Sequence, residues 1–414
     1  MPISFVLPLL VTTVGLFLLI RMKAFFLLHP IKTAKELFYG LKDRDARRSF
    51  FLALAGTLGV GNIFGVSAGI MIGGAGCLLW LFISSLFSAV IKYAEVLLAF
   101  DEKNGKIGVA GLLLRVFRNG KIISSIYAGL TVLLSLFMGA ALQTAALCDI
   151  AYQTINTRPG ITAAIMLVLL LPALLGGARK IESITEITIP LTTIIYITLC
   201  FAVIFARIDR LPEVISNILL SAFSFRSAAG GLTAIAVKEG FARGILSNEA
   251  GTGTSALAHS RSVNRSPHIA GLCGMCEVFF DTTVLCSLTG VAILSALDDF
   301  SSFKTPMSLV FAAFNSVLGE LSVLLLPIIF AFAYSTIICW FYYGVEYCSV
   351  YFGGHKIAFL LLFIGFVLFS YVIPSSPLLY LTDLILLFMA FFTLTAIVKN
   401  TNRICFLSKN KELP

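Results

Sequence analysis

Long apolar runs, separated by short polar loops, limit the possible folds of this chain more than any other feature. An α-helix needs about 20 mostly apolar residues to cross a bilayer. Eleven such segments can be read from the sequence. They lie near residues 3–20, 50–72, 76–100, 122–151, 160–176, 187–206, 228–250, 268–296, 320–351, 356–373 and 377–398. The sequence therefore predicts an all-α polytopic membrane protein with about 11 transmembrane helices.

The composition excludes the main classes of soluble protein. Of the 414 residues, 58% are hydrophobic and 12% are charged, whereas soluble domains carry about 25% charged residues. A chain with so few polar residues cannot cover its surface in water, so a cytosolic enzyme, a nucleic-acid-binding domain and a disordered chain are excluded. The nine cysteines lie mostly inside apolar runs and indicate neither a disulfide framework nor a zinc site.

The distribution of lysine and arginine predicts the orientation in the membrane. If the loop over residues 21–48 is cytoplasmic, 24 of the 30 basic residues fall on that side and five on the other. Cytoplasmic loops of membrane proteins carry this excess of positive charge. We therefore expect a multi-pass protein of the cell membrane with its N-terminus outside and its C-terminus in the cytoplasm.

Two glycine clusters interrupt apolar segments that lie five segments apart. Gly56 and Gly59 occur in the second segment, and Gly230 and Gly231 occur in the seventh. Glycine disfavours a helix interior, so the clusters indicate either broken helices or close helix packing. Interrupted segments at matching places in two halves are typical of inverted-repeat transporters that bind their substrate at the membrane midplane. For Gly61, Gly65, Gly69 and Gly73, which recur at every fourth residue, we expect a packing face instead.

No motif in the chain supports enzymatic chemistry. Residues 65–69 match the G-x-S-x-G pattern of hydrolases but lie inside an apolar segment, and the four histidines are at loop positions. Residues 247–254 resemble a phosphate-binding loop only loosely, because they lack its Gly-Lys-Ser/Thr ending. The chain is therefore not expected to be an enzyme or to hold a cofactor.

Several acidic residues fall in or at the ends of the apolar segments, where ionisable groups are costly and often functional. They are Glu95, Asp149, Glu277, Asp281, Glu320, Glu346 and Asp383.

The stretch GFARGILSNEAG over residues 240–251 resembles the signature of the alanine or glycine:cation symporter family. Other stretches match that family in the same order: 56–66, 73–74, 92–95, 176–181, 280–282, 332–336 and 343–346. The resemblance implies the LeuT-type fold of the amino acid-polyamine-cation superfamily, with two inverted repeats of five helices and one extra helix before them. The implied organisation is an extra helix and basic loop at 1–49, a first repeat at 50–206, an extracellular connection at 207–227, a second repeat at 228–398, and a basic cytoplasmic tail at 399–414. The first helix of each repeat is expected to be broken.

The resemblance also implies a sodium site. Its ligands would be the backbone of Gly56 and Gly59 with the hydroxyls of Ser335 and Thr336. Unwound backbone carbonyls and hydroxyls provide the oxygen ligands that a hard cation prefers. A hydroxyl in a membrane helix can also simply bond back to its own helix, which is the alternative for Ser335 and Thr336.

Substrate contacts follow from the same resemblance. Gln143 matches the family's substrate-facing glutamine, and a buried amide there must bond either to another helix or to a ligand. The other expected contacts are Thr57, Gly59, Gly61, Gly231 and Thr233. Arg243, Asn248 and Glu249 are expected to form an inner gate at the cytoplasmic end of the seventh segment, with Arg243 pairing to its neighbours.

We therefore expect a secondary active transporter that carries a small neutral amino acid, such as alanine or glycine, together with sodium by alternating access. A zwitterion suits a broken helix, because the half-helix N-terminus favours its carboxylate. The alternatives are a proton-coupled or facilitative carrier of the same substrates and a transport-dead amino-acid sensor. The implied partners are the amino acid, the sodium ion and the lipid bilayer, with no nucleic acid and no specific protein.

Overall fold

The computed structural model describes residues 3–100, 107–223, 231–260, 266–300 and 302–409, without the side chains of residues 3–5, 231–233, 375–376 and 409. These residues form helices and no β-strand. The helices of the first part are α1 (Ile3–Arg21), α2 (Phe25–Leu28), α3 (Pro30–Gly40), α4 (Arg44–Thr57), α5 (Val60–Gly73), α6 (Cys77–Phe100), α7 (Gly108–Val116), α8 (Gly120–Leu134), α9 (Gln143–Ile155), α10 (Pro159–Ala206) and α11 (Leu211–Ala222).

The second part continues the same all-helical architecture. Its helices are α12 (Gly231–Asn248), α13 (Ala256–His259), α14 (Pro267–Val278), α15 (Ser287–Ala296), α16 (Pro306–Leu318), α17 (Leu325–Tyr351), α18 (Lys356–Leu368), α19 (Ser375–Lys399) and α20 (Thr401–Lys409). Two π-helical stretches, Ser135–Leu142 and Phe279–Cys286, join α8 to α9 and α14 to α15. Short 3-10 turns occupy Ile208–Arg210, Gly319–Leu324 and Ser370–Val372.

Within the described residues, six helical runs are long and apolar enough to cross a membrane, and the bent pair of α4 and α5 makes a seventh if it is one span. The six runs are Cys77–Phe100, Gly120–Ile155, Pro159–Ala206, Pro267–Ala296, Pro306–Tyr351 and Pro377–Lys399. Two shorter apolar helices, Val6–Arg21 and Lys356–Leu368, fall below that length. These spans agree with a polytopic membrane protein. The count of 11 spans and the LeuT-type inverted repeat remain predictions.

A sharp kink at Gly177 divides α10 into two limbs. The run has 48 residues, and Gly177 adopts φ 72° and ψ −176°, which is not helical. A straight helix of that length would extend about 72 Å, more than twice the hydrocarbon thickness of a bilayer. Only glycine adopts such a φ readily, so the chain turns at this residue between the apolar segments predicted at 160–176 and 187–206.

The glycine cluster of the second apolar segment coincides with a break between α4 and α5. The two helices are bent by 43° relative to each other. Asp43 caps the start of α4 by accepting a hydrogen bond from the backbone N–H of Ala46 at 2.8 Å. In the seventh segment, the described helix α12 begins at Gly231 and ends at Asn248. Gly230 lies outside the described residues, so a break at that position stays a prediction.

The glycines that follow the break in α5 form a packing face. A Cβ atom added at Gly69 would lie 3.4 Å from Arg243 Cγ of α12, and one at Gly73 would lie 3.3 Å from Ala236 Cα. The interval of four residues places these glycines on one side of α5, and α12 packs against that side. Gly61 differs, because a Cβ atom there would meet no atom within 4 Å.

The packing of α12 on α6 gives a testable prediction. A Cβ atom at Gly240 would overlap the carbonyl oxygen of Cys77 and lie 2.6 Å from Trp80 Cβ. Gly240→Ala should therefore lower the free energy of unfolding by about 1–3 kcal/mol through overpacking. Thermal unfolding of the purified protein in detergent, followed by circular dichroism, measures the effect.

Gly129→Ala in α8 is the matched control. Its added methyl group would meet only Phe352 Cζ, at 3.5 Å. Because alanine also favours a helix interior over glycine, this variant should be as stable as the parent or slightly more stable. Equal destabilisation by both substitutions would contradict the close approach of α12 to α6.

Candidate functional site

The break between α4 and α5 leaves two residues out of helical conformation. Leu58 has φ −75° and ψ 74°, and Gly59 is extended with φ −112° and ψ −172°. The carbonyl groups at the end of α4 and the N–H groups at the start of α5 therefore lose part of their helical bonding. In a membrane interior such groups must be satisfied by other parts of the protein or by ligands.

Thr336 of α17 reaches the broken end of α4. Its hydroxyl oxygen lies 2.9 Å from the carbonyl oxygen of Ala55, 3.2 Å from that of Leu58 and 3.0 Å from that of Phe332 on its own helix. A hydroxyl has a single hydrogen to donate, so three carbonyl oxygens converge on a side chain that can fully satisfy one of them. The result is a cluster of four oxygens at the break, and Thr336 itself is 1% exposed.

The other groups expected at the sodium site are placed differently. The carbonyl oxygen of Gly56 accepts a hydrogen bond from the indole N–H of Trp340 at 3.2 Å. The hydroxyl of Ser335 lies 3.0 Å from that of Thr188 in α10. The structure thus brings Thr336 to the carbonyls of Ala55 and Leu58, one residue before each glycine that the resemblance implied.

Gln143 connects a third helix to the same break. It begins α9 directly after the π-helical stretch Ser135–Leu142, and its Oε1 accepts a hydrogen bond from the backbone N–H of Val60 at 3.2 Å. Of the two partners predicted for this buried amide, another helix or a ligand, the structure shows the bond to another helix. A Cβ atom on Gly59 would lie 3.0 Å from Thr336 Oγ1 and 3.1 Å from both polar atoms of the Gln143 amide. A larger residue at this position would require small shifts of both side chains.

A second polar cluster, one turn further along α5, was not expected from the sequence as part of the site. Asn62 donates a hydrogen bond to Asp281 of the π-helical stretch Phe279–Cys286. The other carboxylate oxygen of Asp281 accepts hydrogen bonds from the hydroxyls of Ser247 and Thr282, both at 2.8 Å. Asp281 is fully buried. π-Helical segments frequently occur at functional sites, and the acid inside an apolar segment was the signal in the sequence.

The remaining expected substrate contacts are only partly described. The hydroxyl of Thr57 bonds back to the carbonyl of Leu54 at 3.3 Å. Gly61 lies in the first turn of α5 beside open space. Gly231 begins α12, but the side chains of residues 231–233 lie outside the description, so the contacts of Gly231 and Thr233 stay predictions.

The three expected gate residues are close in sequence but do not pair with one another as predicted. The guanidinium of Arg243 pairs with Glu239, one turn earlier in α12, at 3.1 Å. The amide of Asn248 donates to the carbonyl of Gly244 at 2.7 Å and to the hydroxyl of Thr282 at 3.0 Å. Glu249 accepts a hydrogen bond from Thr254 at 2.6 Å. Within the described part of the chain, Arg243 pairs with this acid on its own helix and with neither Asn248 nor Glu249.

A bundle of apolar helices with a broken helix lined by polar groups is typical of membrane transporters. A model of the sodium:alanine symporter family matches residues 2–409 of the chain. The chain therefore belongs to the sodium:alanine symporter family.

Individual relatives agree with that membership. An uncharacterized transporter of Haemophilus influenzae is 31% identical over 329 residues, which cover 76% of this chain and 72% of the relative. A sodium/alanine symporter of Methanococcus maripaludis is 29% identical over 361 residues, which cover 83% of this chain and 79% of the relative. A probable sodium/glutamine symporter of Bacillus subtilis is 28% identical over 356 residues, which cover 81% and 72%.

The narrow fit at Gly59 yields a second prediction. In Gly59→Ala, the added methyl group would force apart the Thr336 hydroxyl and the Gln143 amide. We expect this variant to unfold at a lower temperature and to lose solute uptake in proteoliposomes.

Gly65→Ala, on the helix that follows the break, is the control for this prediction. The nearest atom to its added methyl group is Arg243 Cδ at 3.9 Å. If both variants transport at the parental rate, Gly59 does not need to be a glycine and the described geometry at the break is wrong.

Proposed function

We propose that this transporter carries a small neutral amino acid, such as alanine or glycine, across the cell membrane together with a sodium ion by alternating access. The observation that supports sodium most directly is the cluster of four oxygens formed by Thr336 and the carbonyls of Ala55, Leu58 and Phe332. We place the ion among these oxygens, with Ser335 one residue away. In that position the ion would satisfy the carbonyls of Ala55 and Leu58, which a single hydroxyl cannot both satisfy.

The start of α5 supports the choice of an amino acid as the substrate. A helix N-terminus favours a carboxylate, because its free N–H groups and its dipole both point toward that end. Gly61 adjoins open space there, so a small ligand can approach the backbone closely. Gln143 already bonds to Val60 N–H, and we propose that its amide also contacts the bound amino acid. We also propose contacts of the substrate with Thr57, Gly231 and Thr233, on the basis of the family resemblance.

The coupling between ion and substrate follows from the shared break. Sodium would fix the end of α4, and the substrate would fix the start of α5, so each would order the residues that the other needs. We propose that this joint ordering permits the closed states between the outward and inward conformations. The N-terminus is proposed to lie outside and the C-terminus in the cytoplasm, on the basis of the basic loops.

The test of this function uses the double variant Ser335→Ala, Thr336→Ala. Loss of the Thr336 oxygen ligand costs about 1.5–3 kcal/mol, so the sodium affinity should fall by about tenfold to about a hundredfold. The measurement is uptake of labelled alanine into proteoliposomes with and without an inward sodium gradient. The double variant should show no sodium-driven accumulation at concentrations that saturate the parent protein.

Thr198→Ala is the matched control for loss of a hydroxyl. Thr198 is exposed on α10 and bonds back to the carbonyl of Ile194 at 2.8 Å, so its loss should leave sodium-driven uptake unchanged. Normal sodium dependence in the double variant would remove the proposed ion site. Accumulation driven by a proton gradient in sodium-free buffer would replace sodium as the coupling ion and leave the amino acid as substrate.

A further inference from the structure

Near the end of α12, acidic side chains outnumber basic ones in a buried cluster of ionisable groups. It comprises four carboxylates and two basic groups, each at most 2% exposed: Glu95, Glu249, Glu277 and Asp281 with Lys92 and His259. Buried charges need partners, because an unpaired charge in an apolar interior costs several kcal/mol or more. The partners of each acid therefore indicate which of the four can be ionised.

Glu95 is well supplied with partners. Its Oε1 lies 3.3 Å from the ammonium of Lys92. Its Oε2 accepts hydrogen bonds from the backbone N–H groups of Gly251 at 2.9 Å and Gly253 at 3.2 Å. One cation and two N–H donors favour the charged carboxylate.

Glu277 and Asp281 also have more than one partner each. Glu277 contacts the imidazole of His259 through Oε1 and lies 4.0 Å from the Lys92 ammonium through Oε2. Asp281 accepts three hydrogen bonds, from an amide and two hydroxyls. Lys92 is thus shared between Glu95 and Glu277, and three donors surround Asp281.

Glu249 has the fewest partners of the four acids. Its Oε2 accepts one hydrogen bond, from Thr254, while its Oε1 is buried and has no hydrogen-bond partner. Within the described residues it makes no ion pair. Its φ of 53° is unusual for a residue other than glycine, and strained backbone of this kind is often found at functional sites.

Among the described residues, the titratable groups that face Glu249 include one cation, Lys92, and no other. They belong to four neighbouring elements and are Lys92 and Glu95 of α6, Tyr127 of α8, Asp281 of the π-helical stretch, and Cys339 and Tyr343 of α17. The one cation in this set, Lys92, already lies against Glu95. The remaining groups are acids, phenols and a thiol, which do not stabilise a negative charge on Glu249 by opposite charge.

We propose that Glu249 is a proton-binding site and that it is a neutral carboxylic acid whenever the cluster is closed. In each cycle, Glu249 takes one proton from water while the site is open, and it can return the proton only when the residues around it open again. The proton is not consumed, so no other reactant is required. This inference rests on the transport function proposed above, and it makes that transport dependent on pH.

The direct test is infrared spectroscopy of the purified protein at neutral pH in sodium-free buffer. A protonated carboxylic acid has a C=O stretching band that a carboxylate lacks. The difference spectrum between the parent and Glu249→Gln should contain this band. The matched variants Asp281→Asn and Glu277→Gln remove acids that have more partners than Glu249, so both should retain it.

Two outcomes would overturn the assignment. One is a difference spectrum between parent and Glu249→Gln without the acid band, which would mean that Glu249 is ionised. The other is loss of the band in Asp281→Asn or Glu277→Gln, which would place the proton elsewhere. If Glu249→Gln fails to fold, Glu249→Asp replaces it, and a shift in the position of the band has the same meaning as its loss.

The functional test is exchange of labelled alanine across proteoliposomes with the same sodium and alanine concentrations on both sides. The parent exchange rate should fall as the pH rises through the titration of Glu249, by up to about tenfold per pH unit for a single proton. Glu249→Gln, which is permanently neutral, should give a rate that does not change with pH. Glu320→Gln, at an exposed acid, should keep the parental profile.

The two tests separate this inference from the proposed function. The infrared measurement requires no transport. If no variant exchanges alanine, the proposal that alanine is the substrate is wrong, and the infrared result alone decides whether Glu249 binds a proton. A pH profile that is the same in the parent and in Glu249→Gln would overturn the role of Glu249 in transport.

Discussion

The rest of the site depends on an interruption of backbone hydrogen bonding inside an apolar bundle. At Leu58 and Gly59 the chain leaves its helix, and the freed carbonyl and N–H groups cannot turn to water as they would in a soluble protein. Three side chains from two other helices meet this need: Thr336 and Trp340 from α17, and Gln143 from α9. These bonds hold the break in place, and in doing so they collect oxygen atoms and N–H groups at one point. In the function proposed here, the same groups exchange these bonds for contacts with the ion or the zwitterion.

A second set of contacts links this break to the end of α12. Asn62, one turn into α5, bonds to Asp281, and Asp281 in turn bonds to Ser247 at the end of α12. The residues after α12 are fixed by different helices, because Glu95 of α6 binds the N–H groups of Gly251 and Gly253, and Tyr127 of α8 donates to the carbonyl of Thr252 at 2.7 Å. Asp281 and Ser247 thus connect α5 to the end of α12, directly before the turn that carries Glu249. This connection gives the proposed ion and proton sites a common structural element.

The sequence predicted the elements of the site better than their pairing. Apolar runs and glycine clusters located the break, since span length and glycine propensity are local properties. The family resemblance pointed to Thr336 and Gln143, and both lie at the break. It also implied the carbonyls of Gly56 and Gly59, whereas the Thr336 hydroxyl reaches those of Ala55 and Leu58, because the rotation of α17 against α4 decides which carbonyl faces it. Arg243 was expected to pair near Asn248 but pairs with Glu239, since an acid four residues earlier on the same helix is always within reach. Contacts between helices, such as Asn62 with Asp281, depend on packing that no local pattern encodes.

The measurement that tests the central claim most directly is the thermal stability of the purified protein as a function of sodium concentration at constant ionic strength, with choline replacing sodium. A ligand that binds only the folded state stabilises it by about 2.7 kcal/mol at a hundred times its dissociation constant. If the broken helix is a sodium site, the unfolding temperature of the parent should rise with sodium, and this rise should be absent in Thr336→Ala. The account would be contradicted if the unfolding temperature of the parent did not change with sodium, or if that of Thr336→Ala rose as much as that of the parent.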